Sequence, residues 1–478
     1  MKFHPFLLAC LLAGCEVGPD YHPPRPAAPA QWVSPQAAGE TNGPPAEAAW
    51  WKSFHDPELN SLIVRAAQSN LDLRVAAGRV RQARAAARVV SAALGPTADA
   101  AASYNRNRYS AHGFPPIPPA LAPLDEDLFQ AGFDASWELD VFGGTRRAIE
   151  AARADTAAVE FAQHDVLLTV LAEVARHYAA ARSCQQRLAV ANDNIKAQEQ
   201  VLELTRDLFA KGLTGGLDVQ QADALLELTR AQPPAFESGF RAEVYQLSLL
   251  LGQQPGATLD ELAATAPIPS APPMVPAGLP SDLVQRRPDV RVAERQLAAA
   301  TARVGAATAG LYPKFYLTGD AGLQSVKASD WFTAGSRYWS AGPSVQWRIF
   351  DTGRIRASIR VQNALVDQAV ASYEQSMLSA FTEVETALTS YAKEQIRRQS
   401  LARSVEASEK AVSVASDLYK NGLTDFLRVL QSQQALYQSQ DALVQSDAAV
   451  ATDLIALYKA LGGGWDDPSL AASAQLAK

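Results

Sequence analysis

Few residues in this chain could do covalent or coordination chemistry. Six scattered histidines and three cysteines supply no metal-ligand spacing. No GxSxG elbow, HExxH pair, phosphate-cradling P-loop or dinucleotide fingerprint stands in a suitable context, so the sequence predicts a protein that is not an enzyme. A formal charge of −7, with no basic run longer than arginine pairs such as Arg286-Arg287 and Arg397-Arg398, argues against a nucleic-acid partner, because neutralising phosphates takes clustered Lys and Arg. The informative thiol is Cys15. An apolar run from Phe6 to Leu12 follows Lys2, and Leu12-Ala13-Gly14-Cys15 has the small-residue pattern that a lipoprotein signal peptidase needs. Residues 1–14 are therefore expected to be a signal peptide, and Cys15 the acylated first residue of the mature chain. Several acyl chains give a stable anchor, since each buried methylene contributes about 0.8 kcal/mol. No cofactor is expected beyond this covalent lipid. Glu16 after the cysteine, rather than Asp, points by analogy to the outer membrane, and the remaining thiol, Cys184, leaves no intramolecular disulfide.

No stretch after the signal approaches the roughly twenty apolar residues of a membrane helix, so a membrane crossing would have to be made by a barrel. Strands with a period of two do occur. Phe129, Ala131, Phe133, Ala135, Trp137, Leu139 and Val141 alternate with Gln130, Gly132, Asp134, Ser136, Glu138 and Asp140. Similar runs place strands at about 97–108, 128–142, 314–325 and 340–350, each long enough for a tilted membrane strand. A soluble, half-buried sheet is the rival reading of these runs. On the membrane reading Phe133, Trp137, Phe315 and Trp347 face lipid. Pro115, Pro116, Pro118, Pro119 and Pro123 mark a long loop between the first two strands.

The rest reads as helix, built twice. Trp137 matches Trp347, Gly212-Leu213-Thr214 matches Gly422-Leu423-Thr424, and Leu251-Gly252 matches Leu461-Gly462; 347 − 137, 422 − 212 and 461 − 251 all give 210. Upstream, Asp72 to Pro96 pairs with Asp289 to Pro313 at 289 − 72 = 217. A half this long, duplicated, implies two equivalent structural units. Thr145 to Phe209 and Arg354 to Tyr419 lack Pro and Gly and are Ala-rich or apolar at three-to-four spacing, predicting rods of roughly 100 Å. Shorter segments return, Leu217 to Leu251 and Asp282 to Leu311, with a break expected at Pro233-Pro234. The expected division is a lipid-anchored tether at 15–56, a first repeat at 57–270, a second at 271–464 and a tail at 465–478.

Three segments carry a specific resemblance: Cys15-Glu16-Val17-Gly18-Pro19-Asp20-Tyr21, the LVQRRPDVRVAE stretch from Leu283 to Glu294 leading to Tyr312-Pro313, and the SWELDVFGG and VQWRIFDTG junctions. Together they resemble the lipoprotein branch of the TolC/OprM-like outer membrane efflux protein family, over nearly the whole mature chain. The resemblance implies a mainly α fold with a transmembrane β-barrel. Each chain would give four strands to a shared, trimeric, twelve-stranded barrel and helices to a long periplasmic α-helical barrel. Independently, four strands cannot close a barrel and membrane barrels need at least eight, so copies must share one; three copies leave a conduit where two would fill it with side chains.

The family likeness implies the exit duct of a tripartite efflux pump. Its partners would be two further copies, a periplasmic adaptor, an inner-membrane RND-type transporter and outer-membrane lipid. It places adaptor docking at Gly212, Leu213, Thr214, Gly422, Leu423 and Thr424. The constricted entrance falls on the first turns of the returning helices, at Leu217, Asp218, Leu427, Arg428 and Gln431. Here the chain departs from its relatives, several of which place acidic residues where Arg428 and Gln431 stand, while Asp218 is the first-half equivalent of Arg428. A type I protein-secretion duct and a lipid-anchored structural coiled-coil protein are the alternatives. A solid coiled coil would require a sustained apolar a/d seam, which the sequence lacks.

Overall fold

A computed structural model describes residues 16–24, 29, 31–33, 40–41, 49–110, 125–270, 275–276 and 280–467. Cys15, the proline-rich loop and most of the tail lie outside these residues. The chain forms two compact units, and each draws on both repeats. One comprises Met1–Pro24, Val80–Val159 and Ala293–Tyr373, the other Arg25–Arg79, Glu160–Val292 and Glu374–Lys478.

The first unit holds an antiparallel sheet of four strands, β1 (Thr97–Arg108), β2 (Asp125–Leu139), β3 (Lys314–Ser325) and β4 (Arg337–Gln346), in sequential order. Two strands differ from the alternation pattern. β2 begins at Asp125, not 128, because Asp125 and Asp127 face Arg108 and Arg106 across the ladder, with ion pairs of 3.1 and 3.6 Å. It ends at Leu139, not 142, because Asp140 leaves the sheet to accept the backbone N–H groups of Thr145 and Arg146 at 3.1 and 2.8 Å, capping the next helix. β4 runs 337–346 rather than 340–350. Its last pairing, Gln346 with Lys314, is where β3 starts, directly after Pro313, which has no N–H to give.

The helices are α1 (Pro57–Ser69), α2 (Leu71–Ala92), α3 (Gly144–Ala210), α4 (Gly216–Arg230), α5 (Pro233–Leu250), α6 (Leu259–Leu262), α7 (Pro280–Arg286), α8 (Pro288–Ala309), α9 (Arg354–Lys420) and α10 (Phe426–Ala460). Duplication is visible element by element. α2 and α8 are both 22 residues long and start 288 − 71 = 217 apart; α3 and α9 are both 67 residues long and start 354 − 144 = 210 apart. The break at Pro233-Pro234 separates α4 from α5, with proline in the first turn of the new helix, where its missing N–H costs nothing. The segment expected as one helix from Asp282 to Leu311 is instead two. Pro288 pushes Arg287 away from helical geometry, and α8 restarts beyond it.

In the second unit the aromatic core gathers Trp50 and Trp51, which are almost fully buried; Trp50 stacks on Tyr458 at 5.4 Å. Two equivalent joints lie in the same unit. Before α2, Asn70 donates to the Leu250 carbonyl at 2.9 Å while its side-chain oxygen caps Asp72 and Leu73. Before α8, Arg287 donates to the Ala460 carbonyl at 3.0 Å and pairs with Asp289 at 2.6 Å and Glu383 at 2.7 Å. Nearby Asp165 is held above the ordinary carboxylate range, first by burial and then by repulsion from Asp289.

Candidate functional site: the strand faces and the turn tips

The sheet register sorts its side chains into two faces. Phe133 pairs with Ala100 and Ala321, Ala321 with Trp339, Trp137 with Leu317, and Leu139 with Phe315, so one face is apolar from Phe129 to Leu139. Ten residues at about 3.3 Å give about 33 Å of strand, or about 25 Å at a tilt near 40°, the height of the apolar band of an outer-membrane barrel. On the other face Asp99, Asp134, Asp320 and Ser340 share one row. Ser340 donates to Asp320, and Lys314 reaches Glu138 at 2.9 Å. Of the four residues assigned to the lipid side, Phe133, Trp137 and Phe315 share the apolar face, while Trp347 lies just past the end of β4. The two tryptophans are repeat equivalents with the same anchor. Trp137 donates its indole N–H to the Leu94 carbonyl at 2.8 Å, and Trp347 donates to that of Leu311 at 3.1 Å. β1 and β4 are the outer strands, each with one neighbour among the described residues.

The second unit contains both tips. Gly212 and Gly422 take φ of +70° and +68°, with open space where a Cβ would stand. Their helices close identically. Gly212 N–H donates to the Phe209 carbonyl and Leu213 N–H to that of Leu208, both at 2.9 Å; Gly422 and Leu423 repeat this on Tyr419 and Leu418 at 2.9 Å each. This is the Schellman arrangement, which needs a left-handed residue and therefore favours glycine. It leaves Leu213 and Leu423 71% and 73% exposed at the apex. Thr214 donates to the Asp218 carboxylate, whereas beside Thr424 the carboxylate of Asp425 accepts Arg428 N–H at 3.3 Å. Leu217, Leu427 and Arg428 are exposed on the first turns of α4 and α10, and Gln431 on the second turn of α10. Within the chain Asp218 and Arg428 do not pair.

Beneath the tips, Leu202, Ala222, Leu226, Ala415, Tyr419, Phe426 and Val429 from α3, α4, α9 and α10 form one apolar cluster. The cluster is asymmetric between the repeats, and the offset of 210 marks the positions where they differ. Gly216 and Phe426 are equivalent, as are Phe209 and Tyr419. Phe426 is 1% exposed against Tyr419 at 5.4 Å, while at the first tip Phe209 covers Gly216 and remains half exposed. The helix pairs are also tied differently. α3 and α4 carry Arg206 to Asp223 at 3.1 Å and Arg230 to Glu199 at 2.6 Å. The equivalents of Asp223 and Arg230 are neutral Gln433 and Gln440, and Gln440 accepts from Asn194 at 2.8 Å.

An antiparallel sheet with one apolar and one polar face, combined with a duplicated set of 67-residue helices, defines a protomer of a barrel-forming, helix-rich membrane channel. The chain belongs to the outer membrane efflux protein family, whose model matches residues 62–253 and again 279–463, one match per repeat. It is 34% identical to the solvent efflux pump outer membrane protein SrpC of Pseudomonas putida over 97% of this chain and 99% of that protein. Among solved structures it is similar to the outer-membrane channel OprN, with TM-score 0.89 and 36% identity over 95% of this chain and 100% of that one. It is also similar to the open state of the Neisseria gonorrhoeae MtrE outer membrane channel, with TM-score 0.83 and 27% identity over 94% and 99%.

Proposed function

We propose that three copies of this chain form the outer-membrane exit duct of a tripartite efflux pump, conducting small molecules passively from an inner-membrane transporter and a periplasmic adaptor. The sheet carries this reading. Its two outer strands need partners, and its polar face suits a wet lumen while the apolar face suits lipid. Three sheets of four strands close a barrel wide enough to conduct. Energy would come from the pump, and the duct would perform no bond chemistry. The Gly-Leu-Thr turns would dock the adaptor, because their exposed leucines and rigid Schellman backbones present the same contact twice per chain. Asp218 and Arg428, on equivalent first turns, would alternate around the entrance. Cys15 would carry the lipid.

Purified full-length protein in planar bilayers tests the central statement. Stable single-channel conductance from a species that cross-links as a trimer is the expected result. A monomeric species, or a trimer that does not conduct, would refute it. Metabolic fatty-acid labelling that persists in Cys15→Ser would refute the acylation site.

A further inference from the structure

The residues that follow Cys15 are pinned. Val17 N–H donates to the Phe142 carbonyl at 3.3 Å, and the Val17 carbonyl accepts from Arg147 Nε at 3.3 Å. Glu16 sits against Gly143, where a Cβ would come within 2.8 Å of the Glu16 side chain, and its carboxylate lies 3.6 Å from Arg146. Gly18, at φ +98°, crosses α8 so closely that a Cβ would stand 2.4 Å from Gly305 Cα, too near for any side chain. Asp20 pairs with Arg147 at 2.5 Å, and the Tyr21 hydroxyl donates to Glu294 at 2.8 Å. All these contacts lie inside the first compact unit, at the β2–α3 junction and along α3 and α8. Beside that junction Phe142 stacks on Tyr312 at 4.6 Å and lies 6.5 Å from Phe315, the first large residue of the apolar face. Leu311 and Tyr312 are each 39% exposed.

We propose that Glu16–Tyr21 form a rigid seat that delivers the acyl chains of Cys15 onto the Phe142–Tyr312–Phe315 patch. The lipid then packs on the protein at the foot of the strands instead of hanging from slack chain. This rests on the acylation of Cys15 proposed above. Chain length identifies the occupant: Cys15 directly precedes Glu16, so the two Cα atoms are about 3.8 Å apart and no free backbone lets the anchor wander. Chemistry agrees, since aromatic rings at a bilayer interface bury aliphatic chains while their edges stay wet. Because the seat is ordered in the fold, the anchor is placed without a further entropic cost of ordering the chain.

The test feeds cells a fatty acid carrying both an alkyne and a diazirine. The full-length protein is irradiated in its membrane, and protein adducts are mapped by mass spectrometry. Most adducts should fall on peptides containing Phe142 and residues 311–315. Label on Cys15 with adducts scattered over the strands, or confined to phospholipid, overturns the seat and leaves acylation standing; no label on Cys15 overturns both. A six-residue Gly-Ser insertion between Cys15 and Glu16 keeps every seat contact but lengthens the leash. It should lower adduct yield on those peptides at least about five-fold, as a flexible linker dilutes its cargo. An unchanged yield overturns the proposal.

Discussion

Asn70 and Arg287 stand at equivalent places in the two repeats, and each holds the final carbonyl of a returning helix, that of Leu250 or Ala460. Asn70 does this alone, with an uncharged amide that also caps α2. Arg287 brings a buried charge, which is tolerable only because Asp289 and Glu383 neutralise it. The tips show the same divergence, with Gly216 in one repeat where the other has buried Phe426. Duplication therefore preserves the backbone problem, a carbonyl to satisfy or a turn to cover, and leaves its side-chain solution free.

The largest expected effect is at the tips' core. Phe426→Ala should cost about 3–4 kcal/mol of local stability by emptying a fully buried ring site. Gly216→Ala at the equivalent position should change it by less than about 0.5 kcal/mol, since a Cβ there meets only the Phe209 ring at 3.6 Å. Hydrogen exchange over residues 205–230 and 415–440 measures both, and equal losses would mean the two tips are not packed differently.

Next come the joints. Arg287→Ala should cost about 3 kcal/mol, the low end for a broken buried pair because Glu383 is more than half exposed. Asn70→Ala should cost about 1–2 kcal/mol for a lost cap and one hydrogen bond. A reversed order in chemical denaturation would contradict the view that the charged joint is the more vulnerable. At the apices, Leu213→Asp and Leu423→Asp should each weaken cross-linking of a periplasmic adaptor in cells by roughly ten-fold, as expected for losing one buried leucine. Trimer assembly should be unaffected. Unequal losses would sharpen the comparison by making one tip the dominant contact.

The smallest effect concerns pH. Glu58, at the start of α1, is raised from 4.5 to about 7 by burial and by the hydrogen bond to Glu261, with Arg65 and Arg182 opposing. A raised carboxyl pKa means that the folded state binds the extra proton. Its contribution is complete below about 4.5 and is lost as pH rises through about 7. Exchange protection of residues 57–69 and 259–262 should fall modestly across that window, and Glu58→Gln should flatten the profile. A wild-type profile that rises with pH would show the assignment to be inverted.

How much of the site was legible depended on how local its signal is. The tip glycines were readable because a C-terminal Gly after a long periodic helix has one common use, the left-handed cap. Alternation locates all four strands, yet the ends of two lie three or four residues from where it puts them. Asp140 obeys the alternation but is spent on capping α3, while Arg337 and the aspartates at 125–127 are drawn into pairing by cross-strand partners. The chain after Cys15 read as extended tether, although its first residues are seated by Arg147, Gly143 and Gly305, more than a hundred positions away.

By itself the sequence determined the period-two and helical segments and the duplication at constant offset, since these follow from spacing along the chain. Only the tertiary structure decided that Asp99, Asp134 and Asp320 share a row and that Arg287 is buried rather than part of a surface basic pair. It alone decided that Phe426 fills a core which Gly216 leaves open. Those facts depend on which distant residues meet across a ladder or between helices. Pairing register and helix packing are set by the summed fit of whole faces, and no local pattern encodes that fit.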